Sequence, residues 1–167
     1  MKLILMRHGD SEKFVIHGDR PLTQTGEREA DAAGFFLRAS GVKPDIIMHS
    51  SRLRSAMTAE RVMAVAGAGV LAFRKDLEED SSPEGFLASV ASEFADTEKI
   101  ILAVGHNPFI SRLGSLMICP ESHAVIANFK TGALLGADSV NSGKYWDLRF
   151  FATPKVIAGI YNLFDLS

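Results

Sequence analysis

The sequence predicts an α/β fold: a single three-layer domain over residues 1–167, with a mostly parallel central sheet and helices on both faces. Short apolar runs alternate with longer amphipathic segments, as strands alternate with helices in such folds. A chain of 167 residues that is 47% hydrophobic can build one core but is short for two. No Ser/Pro-rich linker, charge block or repeat interrupts the alternation.

The first strand and the first helix carry clear signals. Residues 2–6 form a short continuous apolar run, which is typical of a strand buried on both faces. Residues 22–41 place small and apolar side chains at helical spacing, with Thr23 or Thr25 as the cap and Gly41 as the stop.

A second strand and two further helices follow. Residues 44–50 predict the strand, and residues 52–66 predict a helix. We expect the inner face of this helix to consist of Leu53, Ala56, Met57 and Ala64. Ser82 and Pro83 are a suitable N-cap and first residue for a third helix. Its apolar stripe is Phe86, Leu87, Val90, Ala91 and Phe94.

A second buried-strand signal covers residues 100–106. Asn107 and Pro108 then cap and open a fourth helix, which we expect to end before Pro120.

The C-terminal part predicts an antiparallel pair of strands. These strands include residues 131–138 and 144–151, where Trp146 is expected to be half-buried. Residues 155–164 fit either a strand or a short helix.

Composition limits the possible partners. The net charge of −2 gives no overall attraction to nucleic acid or to an anionic membrane, so an anion site has to come from a few local cations. Cys119 is the only cysteine, which suits a reducing compartment. With no signal peptide or transmembrane segment recognised, we expect a cytoplasmic protein.

Two histidines follow the two buried-strand signals. His8 and His106 should both leave the sheet at the carboxyl ends of parallel strands, which is the edge where open α/β sheets bind ligands. Either histidine alone is more simply a core or surface residue. The pair at equivalent positions favours a site.

Arginines complete the predicted site. Arg7 adjoins His8, Arg20 lies in a loop, and Arg54 falls in the first turn of the second helix, with Arg52 as its nearest competitor. A helix N-terminus and a guanidinium together suit a phosphate group. Ordinary surface charges are expected for the arginines at other positions, namely Arg28, Arg38, Arg61 and Arg74.

Histidines and arginines in one pocket suit phosphoryl transfer. A neutral imidazole can attack phosphorus, giving a phosphohistidine that water then hydrolyses. Because no Walker-type loop is present, fixed cations would have to stabilise the phosphoryl charge.

Four motifs in order strengthen this interpretation. The stretches "LMRHGD", "RPLTQTG", "SSRLRSAMTAE" and "VGHNP" resemble the histidine phosphatase superfamily in order and rough spacing. The short chain is most similar to the SixA-type phosphohistidine phosphatases within it. The resemblance covers about residues 2–117 and implies a phosphoglycerate mutase-like fold.

The resemblance assigns roles by position. It implies that His8 accepts the phosphoryl group, that Arg7 and Arg54 hold the phosphate, and that His106 donates to its oxygens. It further implies that Arg20 contacts either the phosphate or the phosphorylated partner.

The residues around the nucleophile are less constrained. Gly9 should let the backbone turn beneath His8, so that one ring nitrogen donates to a backbone carbonyl and the other is free to attack. Glu79, in the acidic segment 76–80, is the candidate general acid, although a solvated acidic loop is an equally good interpretation. Asp10 stays unassigned; it could tune or orient the loop.

The second-helix motif departs from its relatives, which usually carry S-P-x-x-R-A-x-Q-T. Here Ser51, Ser55 and Met57 replace the proline, alanine and glutamine, while Arg54 and Thr58 are kept. We expect Arg54 still to bind phosphate, and we expect the angle at which the helix starts to differ from that in the relatives.

The remaining histidines show no metal-ligand spacing. His17, His49 and His123 fit neither an HExxH motif nor a Cys/His cluster, so no metal and no cofactor is expected. His49 could line the outer wall of the pocket, although a structural role is the simpler expectation.

The sequence predicts a metal-independent phosphatase that acts on phosphohistidine in a signalling or phosphocarrier protein, because the short loops leave no insert to enclose a small molecule. A small-molecule phosphomonoesterase is the alternative, favoured by the acidic segment. A non-catalytic module that binds phosphorylated partners is less favoured, because both histidines and both arginines are present. Neither nucleic acid nor membrane is expected as a partner.

Overall fold

The computed structural model describes residues 1–14, 19–67, 69–94, 97–121, 124–125 and 127–165. Along the chain the elements are β1 (Lys2–Arg7), α1 (Gln24–Ala39), β2 (Ile46–His49), α2 (Leu53–Ala66), β3 (Val70–Phe73), α3 (Pro83–Phe94), β4 (Ile100–Gly105), α4 (Phe109–Ile118), β5 (Leu134–Val140), β6 (Tyr145–Ala152) and α5 (Pro154–Asp165). A short 3₁₀ turn, Lys75–Leu77, precedes α3.

The described strands form one six-stranded sheet in the order β3-β2-β4-β1-β5-β6. Strands β3, β2, β4 and β1 are parallel, whereas β5 and β6 are antiparallel. The fold class is therefore confirmed, and so is the C-terminal pair of strands.

Two buried clusters lie on the two faces of the sheet. Leu3 and Leu5 of β1 pack on one side with α3 and α4, and Ile4 and Met6 pack on the other with α1 and α2. Alternation along β1 therefore sends side chains into both layers, which explains why its sequence is a continuous apolar run.

The predicted helix ends agree well with the structure. Thr23 caps α1 by accepting a hydrogen bond from the Gly26 backbone N–H, and Gly41 lies just beyond the helix with φ of 68°. Ser82 accepts from the Gly85 backbone N–H at the start of α3. Residues 155–164, left open between strand and helix, lie within helix α5.

Two sequence predictions are wrong, and one strand was not predicted. The buried face of α2 is turned away from Leu53 and Ala64, which are exposed; it carries Arg54, Ser55, Thr58, Ala59, Val62 and Ala66 instead. The side chain of Arg54 has to reach the sheet edge, so the helix is rotated from its most apolar orientation. The short edge strand β3 was missed, and Pro108, not Asn107, is the N-cap of α4.

Candidate active site

His8 and His106 lie side by side because β1 and β4 are adjacent parallel strands. Arg7 pairs in register with Gly105, and each histidine is the next residue along its own strand. The two ring centroids are 5.0 Å apart, and both residues are buried. The prediction that the two strand ends meet at one edge is confirmed.

The hydrogen bonds of His8 define its tautomer. Its Nδ1 lies 2.7 Å from the Gly9 carbonyl oxygen, which can only accept, so Nδ1 carries the proton. Its Nε2 accepts a hydrogen bond from Arg54 Nε at 3.2 Å. The lone pair of Nε2 is therefore directed at the guanidinium.

Both rings are neutral at pH 7. Burial lowers the pKa of His8 to about 4, with the cations Arg54, Arg7 and Arg20 acting in the same direction, although the hydrogen bond to Gly9 opposes them. Burial, followed by His8 and Arg54, lowers the pKa of His106 to about 3. A neutral imidazole is the form that can attack phosphorus.

Arg54 is held on three sides. Besides its bond to His8, Nη1 lies 3.3 Å from Asp19 Oδ1 and Nη2 lies 2.9 Å from Glu79 Oε1. The guanidinium thus links the nucleophile candidate to two carboxylates, and Glu79, the candidate acid, does reach the site.

Near the start of α2, where free N–H groups were expected to face an anion, two backbone N–H groups are already bound by carboxylates. The Leu53 N–H donates to Asp19 Oδ2 at 2.6 Å, and the Ser51 N–H donates to Glu78 Oε1 at 2.7 Å. Burial raises the pKa of Asp19, but hydrogen bonds from the Leu53 and Arg20 backbones and the charge of Arg54 outweigh it, so the pKa lies below its ordinary value.

His106 has a side-chain partner. Its Nε2 and Ser50 Oγ are joined by a hydrogen bond of 2.5 Å. Its Nδ1 is buried and has no hydrogen-bond partner within the described ranges. Within these ranges, Ser50 is therefore the side chain that bonds the His106 ring.

Arg7 is anchored by a backbone carbonyl. Its Nη1 donates to the Phe129 oxygen at 2.9 Å, and the same oxygen accepts from Asn107 Nδ2 at 2.9 Å. The Nε of Arg7 is buried without a partner among the residues described. The guanidinium is therefore fixed at one nitrogen and retains donors for an anion.

Gly9 is required for a different reason from the one expected. Its φ does not lie in the left-handed region; instead, a Cβ here would clash with the carbonyl of Gly26 in α1. Its N–H donates to Thr58 Oγ1 at 3.1 Å, and that hydroxyl donates to the Arg54 carbonyl at 2.6 Å. Close packing of the β1 loop against α1 and α2 excludes a side chain.

A cavity of about 340 Å³ opens above the two rings. It is lined by Arg7, His8, Asp10, Ser11, Lys13, Arg20, Arg54, Glu79, His106, Asn107 and Thr131. Every predicted site residue except Gly9 lines this cavity, and the exposed Arg52 does not. Asp10 Oδ2 accepts from Thr23 Oγ1 at 2.9 Å, which ties the loop to the start of α1.

His49, the described one of the remaining histidines, does not line the cavity. His49 Nδ1 faces the Ser50 carbonyl at 2.9 Å, and His17 and His123 lie outside the described residues. Arg74 is not an ordinary surface charge, because it bonds Asp76, Glu93 and Ser89 and so fixes the segment before α3. The described ranges contain no cluster of three His, Cys, Asp or Glu side chains that could hold a metal ion.

Sequence reasoning missed Asp19, Ser50 and Asn107. Asp19 directly precedes the quoted stretch that begins at Arg20, and Ser50 opens the second-helix motif, so both lay next to or within stretches already singled out. Their partners depend on which loops meet at the sheet edge, which no local pattern encodes.

The chain matches the model of the histidine phosphatase superfamily (branch 1) over residues 3–83. Among curated proteins, the 2,3-bisphosphoglycerate-dependent phosphoglycerate mutase of Streptomyces griseus is 40% identical over 70 residues, which is 39% of this chain and 28% of the mutase. This chain therefore matches well under half the length of the mutase.

Solved structures give fuller coverage. A protein histidine phosphatase SixA complexed with tungstate has a TM-score of 0.84 at 22% identity, covering 93% of this chain and 98% of that one. A putative phosphohistidine phosphatase SixA from Nakamurella multipartitia is 29% identical, with a TM-score of 0.71 and coverage of 92% and 95%. A putative alpha-ribazole-5'-P phosphatase from Escherichia coli has a TM-score of 0.74 at 20% identity, covering 92% and 97%.

In the part of the chain that the structure describes, no helix combines the length and the apolar character that crossing a membrane requires.

Proposed function

We propose that this chain, which matches the histidine phosphatase superfamily model over residues 3–83, is a metal-independent phosphatase that acts through a phosphohistidine on His8. The observation that carries this proposal is the state of His8. Its Nδ1 proton is held by the Gly9 carbonyl, and its neutral Nε2 faces Arg54 within a cavity that Arg7 and His106 also line.

The reaction has two displacements. His8 Nε2 attacks phosphorus, the bond from phosphorus to the leaving group breaks, and the leaving group departs with the electron pair. Water then attacks the phosphoryl group, the bond from phosphorus to Nε2 breaks, and orthophosphate is released. In both steps Arg7, Arg54 and His106 stabilise the phosphoryl oxygens.

We favour phosphohistidine on a signalling or phosphocarrier protein as the substrate. A leaving imidazole can be protonated on its ring before the bond breaks, so it departs neutral without a strong acid from the enzyme. Glu79 accepts a hydrogen bond from Arg54 at 2.9 Å, an arrangement that suits charge balance better than proton donation. The 29% identity to a protein described as a putative phosphohistidine phosphatase supports the same choice.

A small-molecule phosphomonoesterase is the second candidate, because Glu79 lines the cavity and a carboxyl group there could protonate an alkoxide. The two candidates make opposite predictions for Glu79→Gln. A phosphohistidine phosphatase should keep its rate on a phosphohistidine protein within about threefold, because the leaving imidazole needs little acid catalysis. An esterase should lose about a hundredfold on an alkyl phosphate.

The test compares kcat/KM on a phosphohistidine-carrying protein with kcat/KM on a panel of sugar phosphates and nucleotides. Asp80→Asn is the matched control, because it removes a neighbouring carboxylate that does not line the cavity. Preference for the panel, together with a large loss in Glu79→Gln, would favour the esterase.

A further inference from the structure

We infer that Ser111 is a positioning residue that holds Arg7 in place through Asn107 and the Phe129 carbonyl. The inference rests on the proposed function in one respect, since Arg7 is taken to bind the phosphoryl group. Ser111 lies on α4, does not line the cavity and is 4% exposed.

Ser111 fixes two groups at once. Its Oγ donates to Asn107 Oδ1 at 2.7 Å and accepts the Phe129 backbone N–H at 3.1 Å. One hydroxyl in α4 therefore sets both the side chain that follows His106 and the loop that approaches from the antiparallel side of the sheet.

The hydrogen bonds of Asn107 and Arg7 meet at the Phe129 carbonyl. That oxygen accepts from Asn107 Nδ2 and from Arg7 Nη1, each at 2.9 Å. A charge-assisted bond to a guanidinium is strong only while the acceptor is held in place. Ser111 binds the Phe129 N–H and Asn107 binds the Phe129 carbonyl oxygen, so both backbone polar groups of this residue are held.

The Phe129 side chain is closely packed. The Phe129 ring is fully buried and lies 5.1 Å from the Phe151 ring between centroids, and a side chain at Gly114 would collide with it. Loss of the Ser111 hydroxyl would leave the Phe129 N–H buried without its partner, and such a group costs enough to shift the loop. A small shift of the carbonyl moves Arg7 directly.

Ser115 supplies a matched control. It lies one turn further along α4, is also buried, donates to the Ser111 carbonyl at 2.7 Å and accepts the Ala127 N–H at 2.9 Å. Ser115→Ala therefore removes a similar tie between the same helix and the same loop. It leaves the hydrogen bonds of Ser111, Asn107 and Arg7 to Phe129 intact.

The experiment measures the affinity of the full chain for inorganic phosphate by calorimetry and the ¹⁵N signal of Arg7 Nε by NMR, assigned with Arg7→Lys. Ser111→Ala should weaken phosphate binding about tenfold and shift or broaden the Arg7 signal. Ser115→Ala should lower the Tm about as much as Ser111→Ala does, but it should leave the Arg7 signal unchanged. Ser111→Thr, which keeps the hydroxyl, should restore the signal.

Asn107→Asp tests the same hydrogen-bond network without changing Ser111. It keeps the acceptor for the Ser111 hydroxyl but replaces the amide donor to the Phe129 carbonyl with an oxygen, so the Arg7 signal should shift as in Ser111→Ala. An unchanged Arg7 signal in Ser111→Ala, or in Asn107→Asp, would overturn the inference.

The Arg7 signal needs neither substrate nor turnover, so the two proposals can fail separately. If the chain hydrolyses no phosphorylated substrate but the signal shifts as described, the proposed function fails and the positioning role stands. If the chain is an active phosphatase and Ser111→Ala matches Ser115→Ala in signal and phosphate affinity, the positioning role fails alone.

Discussion

His8 and His106 occupy equivalent places at the ends of neighbouring strands, yet their partners differ in kind. The Nδ1 of His8 faces a backbone carbonyl, which can only accept, whereas the Nε2 of His106 faces the Ser50 hydroxyl, which can donate or accept. The proton of His8 is therefore fixed, while that of His106 can move between nitrogens. A fixed tautomer suits a nucleophile, and a mobile proton suits a group that donates to an oxyanion.

The largest difference is expected on replacing each histidine with alanine. His8→Ala removes the ring nitrogen that accepts from Arg54, so turnover should fall by more than about a thousandfold, and no acid-labile phosphoryl adduct should form. Rapid-quench assays with a chromogenic phosphoester measure both quantities. His49→Ala, which changes a histidine outside the cavity, is the control and should keep the adduct. An adduct of normal yield in His8→Ala would contradict the assignment.

His106→Ala should be less severe. It removes one donor to the phosphoryl oxygens, so turnover should fall about a hundredfold, while the adduct on His8 still forms slowly. The same rapid-quench assay, extended to long times, checks this. If His106→Ala forms no adduct and His8→Ala does, the roles of the two histidines are reversed.

Much of this site was predictable from the sequence, because strand ends and motif order place His8, His106, Arg7 and Arg54 at one edge. The partners were not predictable. Ser50 meets His106, and Phe129 meets Arg7, only through contacts 56 and 122 residues apart in the sequence. Pairing over such distances depends on loop paths, which leave no periodic signal.

The face of α2 and the strand β3 show a second limit. Helical periodicity predicted Leu53 and Ala64 on the inner face, but in the structure Arg54 and Ser55 are buried on that face instead. Ser55 Oγ donates to the Val104 carbonyl at 2.8 Å, a bond that alanine at this position could not make. Strand β3 is only four residues long, Val70–Phe73, and an apolar run this short does not distinguish a strand from other structure by periodicity.

Ser50→Ala tests whether the Ser50 hydroxyl orients the His106 ring. It removes the hydroxyl that orients His106 and leaves the His8 contacts intact, so kcat should fall about tenfold while the adduct still forms on His8. Steady-state kinetics on one substrate measures the change. Ser51→Ala, an exposed neighbour, is the matched control and should match wild type. Equal kcat in both variants would show that the hydroxyl does not orient the ring.

The smallest effect is on stability. Both rings have pKa values well below 6.5, at about 4 for His8 and about 3 for His106. Between pH 6.5 and about 4 the unfolded chain therefore binds protons that the folded chain does not, and the free energy of unfolding falls as the pH falls. Urea unfolding at pH 7 and pH 5 should show a smaller decrease in the double variant H8Q/H106Q. An equal decrease would contradict neutral buried rings.

The central claim is that Nε2 of His8 is the phosphoryl acceptor, and the position of the phosphoryl group tests it most directly. Enzyme trapped after reaction with a phosphoryl donor can be examined by ³¹P and ¹⁵N NMR, which distinguish the two ring nitrogens. The phosphoryl group should be on Nε2 of His8, because the Gly9 carbonyl holds the proton on Nδ1. A phosphoryl group on Nδ1 of His8, or on His106, would contradict the claim.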